Sequence, residues 1–348
     1  MHIVKIEKIP IGEKQPTYLI AEIGGNFNTF SAGKKIIDAA VKNGANAVKI
    51  QTFTAENLVS KFAIFNLPSV GGMKKQFPIL KKLELKPSIQ KQLFEYCKKK
   101  KITFFSTPSH KDDVDFLEEN GICAYKLGSD DLTNLPLIKY VSKCNKPTII
   151  STGMSNMKEV RDAVRAYHST GNKKLILLHC VSMYPSEPKF ANLKAIDTMK
   201  NEFKIPIGWS DHSIDSDVCI AATALGADVI EKHFMLNKKE AGPDGLLSAD
   251  PVQFKNLAKS IRIIENSFGS GIKNPAKNEI EGRSNHRKSI VAVKNIKKGE
   301  KILLESIDIK RPATGIAPKY KNKILGCIAK KNIKNDMPIK ESDIVWKN

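Results

Sequence analysis

The stretch P-I-G-W-S-D-H-S (residues 206–213), with A-A-T-A-L-G-A-D (221–228) and V-I-E-K-H-F (229–234) after it, reads as strand, helix and strand. Each apolar run ends in a histidine, His212 and His233. Neighbouring strands of a parallel β-α-β unit lie about 4.8 Å apart, so the two imidazoles come to the same end of adjacent strands and can share a divalent metal. The alternative this stretch leaves open is two unrelated histidines, one capping a helix and one half buried.

Outward from this unit the same rhythm recurs. Earlier strand candidates are Tyr18 to Gly24, Ala47 to Phe53, Ile102 to Pro108, Ala124 to Ser129, Pro147 to Gly153 and Leu175 to Val181; Pro206 to Asp211 and Val229 to Phe234 make eight. Helical stretches fit between them, among them Ala32 to Asn43, Pro87 to Lys101, Asn156 to Ser169 and Ser216 to Leu225, with a final helix from Pro251 to Phe268. Residues 1–17 read as a lead-in hairpin or plug. The long second connection, with G-G-M at Gly71, suggests an inserted active-site loop. Eight alternating units in about 250 residues predict a closed (β/α)8 barrel. An open doubly wound sheet is the alternative, and no G-x-G-x-x-G follows the first strand to support it.

Polar residues collect toward the C-terminal ends of these runs: Glu22, Lys49 and Gln51, Ser106 and Thr107, Lys126 and Ser129, Ser151 and Thr152, His179 and Ser182, Ser210 to His212, Lys232 and His233. Charged groups in apolar runs cost too much to keep without partners, and barrel enzymes place their chemistry at this face, so the set predicts an active site.

Residues 1–268 form the expected barrel domain, 269–285 a polar, glycine-bearing linker, and 286–348 a small domain of short strands with a β-clip pattern. From residue 271 onward 19 Lys/Arg face 8 Asp/Glu, so this tail is basic. The whole chain of 348 residues carries a formal charge of +21. Its lysines are scattered with few aromatics between them, so neither nucleic acid nor a membrane is an expected partner, while anionic substrates gain from the field. The six cysteines lack a C-x-x-C pair, the N-terminus lacks the apolar core of a secretory signal, and no run approaches the ~20 apolar residues of a membrane span. A cytoplasmic protein is expected.

Lys49 and Lys126, with hydroxyls from Thr107, Ser129, Ser151 and Ser210, suit an anion such as a phosphate or carboxylate. A Schiff-base lysine stays open, although two lysines beside hydroxyls fit anion binding better. His212 and His233 leave positions for water and substrate, which suits Lewis-acid chemistry rather than a structural zinc site. Glu22 is placed for general-base or water-orienting work, with an ion pair to Lys49 as the alternative.

The ordered motifs A-E-I-G-x-N at Ala21, K-x-Q-T at Lys49, S-T-P at Ser106, Y-K-x-G-S at Tyr125, S-T-G-M at Ser151, H-C-x-S-x-Y-P at His179, G-x-S-D-H-S at Gly208, E-K-H-F at Glu231 and G-P-D at Gly242 together resemble the N-acetylneuraminate synthase family, which makes sialic, legionaminic and pseudaminic acids. The tail resembles that family's antifreeze-like (SAF) domain. The resemblance implies condensation of phosphoenolpyruvate with an N-acyl-mannosamine-like sugar and release of phosphate by C–O cleavage. It implies that Lys49, Thr107, Lys126, Ser129, Ser151, Ser182 and Ser210 hold phosphoenolpyruvate, and that Glu22, Lys49 and Lys126 serve catalysis. Tyr184, Asp131, Asp244 and Arg311 match positions near the sugar, and His212 and His233 the metal ligands, with Mn2+ expected and Mg2+ or Co2+ as alternatives. It implies a homodimer in which each SAF domain covers the partner's barrel.

Three departures lie near the expected sugar site: Phe27 stands where the family has histidine, Asp131 where it has glutamate, and residues 62–73 do not align with the usual loop. The competing readings are a synthase of the 3-deoxy-octulosonate or -heptulosonate type, and an inactive barrel whose SAF domain binds glycan or nucleic acid.

Overall fold

Every residue of Tyr18–Glu22, Ile207–Asp211 and Val229–His233 is buried, the mark of parallel strands covered on both faces. The structure, a computed structural model, describes residues 2–25, 27–67, 72–238 and 244–347. Strands β1 (Tyr18–Glu22), β2 (Ala47–Thr52), β3 (Thr103–Pro108), β4 (Tyr125–Leu127), β5 (Thr148–Ser151), β6 (Leu175–Cys180), β7 (Ile207–Asp211) and β8 (Val229–His233) close in sequence order into one parallel barrel. The sequence reading placed all eight, overrunning several ends by a residue or two where the apolar run continues into the loop.

A helix follows each strand: Phe30–Lys42, Pro87–Lys100, Lys111–Glu119, Leu135–Lys143, Met157–His168, Lys194–Phe203, Asp217–Ala224 and Pro251–Ser267. Local chemistry starts them where the loops end. Asn156 and Asp250 each accept backbone N–H groups of the first turn, and Glu159 and Gln253 reach back to the cap residue. The lead-in residues form an antiparallel hairpin, Val4–Ile6 with Ile9–Ile11, whose Val4, Ile6 and Ile11 are buried in the barrel core. Glu7 of this hairpin accepts from Thr103 Oγ1 at 2.7 Å, which places it at the N-terminal end of the barrel, opposite the expected site.

The long second connection contains a hairpin, Ile64–Leu67 with Gly72–Lys75, and a helix, Gln76–Leu83. Ile64 is 52% exposed and Met73 68%, so the hairpin carries apolar side chains into solvent. Gly71 of the G-G-M segment, Asn26 of the first motif, and Gly242 and Pro243 of G-P-D lie outside the described residues.

The chain divides into two compact units, Met1–Phe268 and Gly269–Asn348. Part of the stretch read as a linker is a helix, Lys277–His286. Its composition misleads because none of its residues is buried; Glu279 Oε2 accepts from Ala276 N–H at 2.7 Å at its start, and Ser284 O accepts from Ala313 N–H at 2.7 Å near its end. Two antiparallel pairs follow, β9 (Ser289–Ala292) with β10 (Ile307–Lys310), and β11 (Ile328–Ala329) with β12 (Ile344–Val345). Isoleucines 290, 296, 302, 307, 316, 324, 333, 339 and 344 fill most of their shared core. No described helix is long and apolar enough to cross a membrane, and all six cysteines are free.

Candidate functional site

Register assembles the site. Pairing of β8 with β1 sets His233 beside Glu22, and pairing of β1 with β2 sets Glu22 beside Lys49. Pairing of β7 with β8 sets Ser210 beside Glu231, and β2 with β3 sets Gln51 beside Thr107. Lys49 Nζ lies 2.5 Å from Glu22 Oε2 and 3.5 Å from Glu231 Oε1. Lys126 Nζ donates to Ser151 Oγ at 2.6 Å and to Leu127 O at 3.0 Å, and lies 3.8 Å from the same Glu231 oxygen, which also accepts from Ser210 Oγ at 2.9 Å. Glu22 thus makes the ion pair held open as its alternative; its Oε1 accepts from the Gly24 N–H at 2.6 Å.

Glu231 therefore stands between the two lysines. Sequence reasoning gave it no role, although the signal was present: a carboxylate in an apolar run, two residues before His233 and so on the same face of the strand. Burial raises its carboxyl, but Lys126 and Lys49 outweigh that and hold it below the usual value. Burial lowers Lys49 to about 8, with Lys126 adding repulsion and Glu231 opposing both.

The hydroxyls gather around the lysines. Besides the Ser151 and Ser210 contacts, Ser129 Oγ accepts from Gly153 N at 2.9 Å. A Cβ placed on Gly153 would lie 2.2 Å from Ser182 Oγ and 2.9 Å from Ser129 Oγ, so Ser129 and Ser182 both close on this glycine.

His212 and His233 stand with ring centroids 5.5 Å apart. His212 Nδ1 is 2.8 Å from the Val181 carbonyl, an oxygen that can only accept, so Nδ1 carries the proton and Nε2 is left with the lone pair. Tyr184 packs on His212 with centroids 4.1 Å apart and meets His233 edge-on at 6.3 Å. The buried His233 Nδ1 has no hydrogen-bond partner and lies 3.5 Å from Asp244 Oδ2. Burial, with His212 and Lys49 adding repulsion, holds the His233 imidazole well below its usual pKa.

Thr107 Oγ1 and Glu231 Oε2 are likewise buried and unpartnered. Folded proteins rarely leave such atoms unsatisfied, and three at one barrel mouth point to groups that a ligand completes. No cluster of three or more His, Cys, Asp or Glu side chains that could hold a metal occurs among the described residues. The lone-pair Nε2 of His212 and the unpartnered Nδ1 of His233 fit an open site in which substrate and water supply the remaining ligands.

Asp131 is buried at the end of β4, where burial pushes its carboxyl up to about 6 and Asn134 Nδ2 donates to it at 2.9 Å. Arg311 follows β10 in the second unit and is exposed. Phe27 is directed into core packing: a Cβ on Gly33 would meet its ring at 2.7 Å. Several of the strand-end polar residues are satisfied within the scaffold, Thr152 Oγ1 among them through the Leu178 carbonyl at 3.0 Å. Ser106 bonds Thr52 Oγ1 at 2.6 Å, His179 Nε2 bonds Ala191 O at 2.8 Å beside Trp209, and Lys232 pairs with Asp211 at 2.5 Å. Each satisfies a buried group within the scaffold.

Comparison with known proteins agrees with this architecture. The NeuB family matches residues 36–273 and the SAF domain residues 287–345. An uncharacterized protein of Methanocaldococcus jannaschii is 42% identical over 347 residues, 98% of each chain. N,N'-diacetyllegionaminic acid synthase of Campylobacter jejuni is 41% identical, covering 93% of this chain and 99% of that one. The crystal structure of an N-acetylneuraminic acid synthetase from Leptospira borgpetersenii, in complex with citrate, is 31% identical with a TM-score of 0.73 over 80% of this chain and 94% of that chain. With a family match across most of the barrel, and a relative aligned end to end, the chain belongs to the NeuB family.

Proposed function

We propose that this chain is a nonulosonic acid synthase, a transferase that condenses phosphoenolpyruvate with an N-acyl-mannosamine-like sugar. The observation that carries the reading is the barrel mouth itself: two buried lysines and an unpartnered threonine hydroxyl for an anion, beside His212 with a free Nε2 lone pair and His233 with an unpartnered Nδ1. The legionaminic acid synthase of Campylobacter jejuni aligns across both units, which supports the same reading.

Lys49 and Lys126 neutralise phosphoenolpyruvate, while Thr107, Ser129, Ser151, Ser182 and Ser210 orient it. Glu231 keeps the two ammonium groups from repelling each other before substrate arrives. His212 and His233 would hold a divalent cation, Mn2+ in the first place and Mg2+ or Co2+ as alternatives, which would supply Lewis-acid polarisation of the sugar aldehyde. C3 of phosphoenolpyruvate attacks the aldehyde carbon, the aldehyde oxygen takes a proton, and C2 becomes cationic. Water adds to C2 and gives up one proton to Glu22, and the C–O bond to phosphate breaks as the remaining hydroxyl proton passes to the departing phosphate and the C2 carbonyl forms. Tyr184, Asp131 and Asp244 position the sugar, and Arg311 reaches it from a partner subunit in a homodimer with exchanged SAF domains.

The test is phosphate release from phosphoenolpyruvate with Mn2+ and a panel of N-acylated hexosamines, with the product identified by mass spectrometry. A nonulosonic acid is expected. Absence of release with every sugar of the panel sinks the proposal, and release only with a pentose or tetrose phosphate transfers the chain to the octulosonate or heptulosonate chemistry.

A further inference from the structure

Lys232 is the most deeply buried lysine at the site's edge, and the reaction has no use for it. Its side chain and that of its partner Asp211 are fully inaccessible. All three ammonium hydrogens are spoken for: Nζ donates to Asp211 Oδ2 at 2.5 Å, to Asp215 O at 3.3 Å and to Ser213 O. No donor remains for a ligand. Strand alternation sets Lys232 on the opposite face of β8 from Glu231 and His233, and register sets it beside Asp211 rather than Ser210.

Its contacts bracket one residue. Asp211 precedes His212, while Ser213 and Asp215 follow it, and the ammonium holds all three. The Asp211 carboxylate is itself fixed by Trp209 Nε1 at 2.9 Å and by Ser213 Oγ at 2.9 Å. Lys232 directly precedes His233, so one buried side chain ties the backbone of one histidine to the segment that carries the other. A buried ion pair is a costly way to join two strands, and an apolar pair of similar volume would pack as well. What an apolar pair cannot do is grip the two carbonyls beyond His212.

We propose that Lys232 and Asp211 are positioning residues for the His212–His233 pair, fixing the spacing of the two imidazoles for a divalent cation. This rests on the reading that these histidines hold a metal. The test is metal uptake by the full chain, not turnover. Metal-stripped wild type, Lys232→Met, Asp211→Asn and the apolar double variant D211L/K232M are titrated with Mn2+ by calorimetry and with Co2+ by visible absorption, and circular dichroism checks folding. The double variant leaves no charge unpaired, so it reports even where a single variant fails to fold. Expected is metal affinity about ten- to a hundred-fold weaker in each folded variant, a changed Co2+ spectrum, and unchanged phosphoenolpyruvate affinity measured without metal, because Lys49 and Lys126 are on other strands. Wild-type metal affinity and an unchanged Co2+ spectrum in the double variant overturn the proposal. A wild-type chain that takes up neither ion overturns the metal reading beneath it, which is a separate and distinguishable failure.

Discussion

Glu231 is the carboxylate on which both active-site lysines depend, and its charge can be removed while its shape is kept. In Glu231→Gln the amide can still accept from Ser210, but Lys49 loses the carboxylate that opposes its depression to about 8. Phosphoenolpyruvate affinity depends on the ammonium form, so in the wild type it falls as pH rises through about 8. In the variant the fall begins at lower pH, and calorimetric titrations from neutral to alkaline pH will resolve it; coincident profiles would show that Glu231 does not tune Lys49. Asp131 gives a prediction of opposite character. Its folded carboxyl, raised to about 6 from 3.8, holds a proton the unfolded chain has lost between those values. Stability therefore falls as pH rises through that window, and the penalty at neutral pH is at most about 3 kcal/mol. Asp131→Asn keeps an acceptor for Asn134 and should stabilise the chain by about 1–3 kcal/mol at neutral pH, with no gain below about pH 4, as read by urea unfolding at both. The same variant should raise KM for the sugar, since site residues often trade stability for function.

At the scale of elements, the end of β5 shows how a strand terminus builds a pocket. Ser151 receives the Lys126 ammonium, and Gly153 then lets Ser129 and Ser182 approach where any side chain would stand. Gly153→Ala displaces those hydroxyls. KM for phosphoenolpyruvate should rise about ten-fold, the equivalent of one or two lost hydrogen bonds, with a melting temperature close to wild type because the residue faces the mouth and not the core. An unchanged KM would remove Ser129 and Ser182 from the anion site. The strands were legible because apolar β-branched runs of the right length alternate with amphipathic stretches. Helices 111–119, 135–143 and 194–203 were not singled out, and helix 277–286 was read as linker because it has no buried face to leave a periodic pattern.

For the whole molecule, the separation into Met1–Phe268 and Gly269–Asn348 makes the exchanged homodimer testable by complementation. On the proposed function His233→Ala removes a metal ligand and Arg311→Ala the contribution of the second unit, so each variant alone should be inactive. Subunits mixed under dissociating conditions and reassociated should regain turnover only if one subunit's Arg311 serves the other's barrel. Light scattering that finds an active monomer would end the exchange model. His233→Ala should also lose metal-dependent turnover while its circular dichroism stays that of a barrel.

The sequence by itself determined the order of eight strands, the strand ends at which polar side chains collect, and the placing of His212 and His233 at the ends of neighbouring strands, because each depends only on where apolar runs begin and end. Tertiary structure decided which strand-end residues face inward. In a barrel whose strands are buried on both faces, no polar alternation marks the inward phase, and within β8 only the step of two from Glu231 to His233 tells Glu231 apart from its charged neighbour Lys232. Register separates them: Glu231 meets Ser210 and the lysines at the mouth, and Lys232 meets Asp211 behind it.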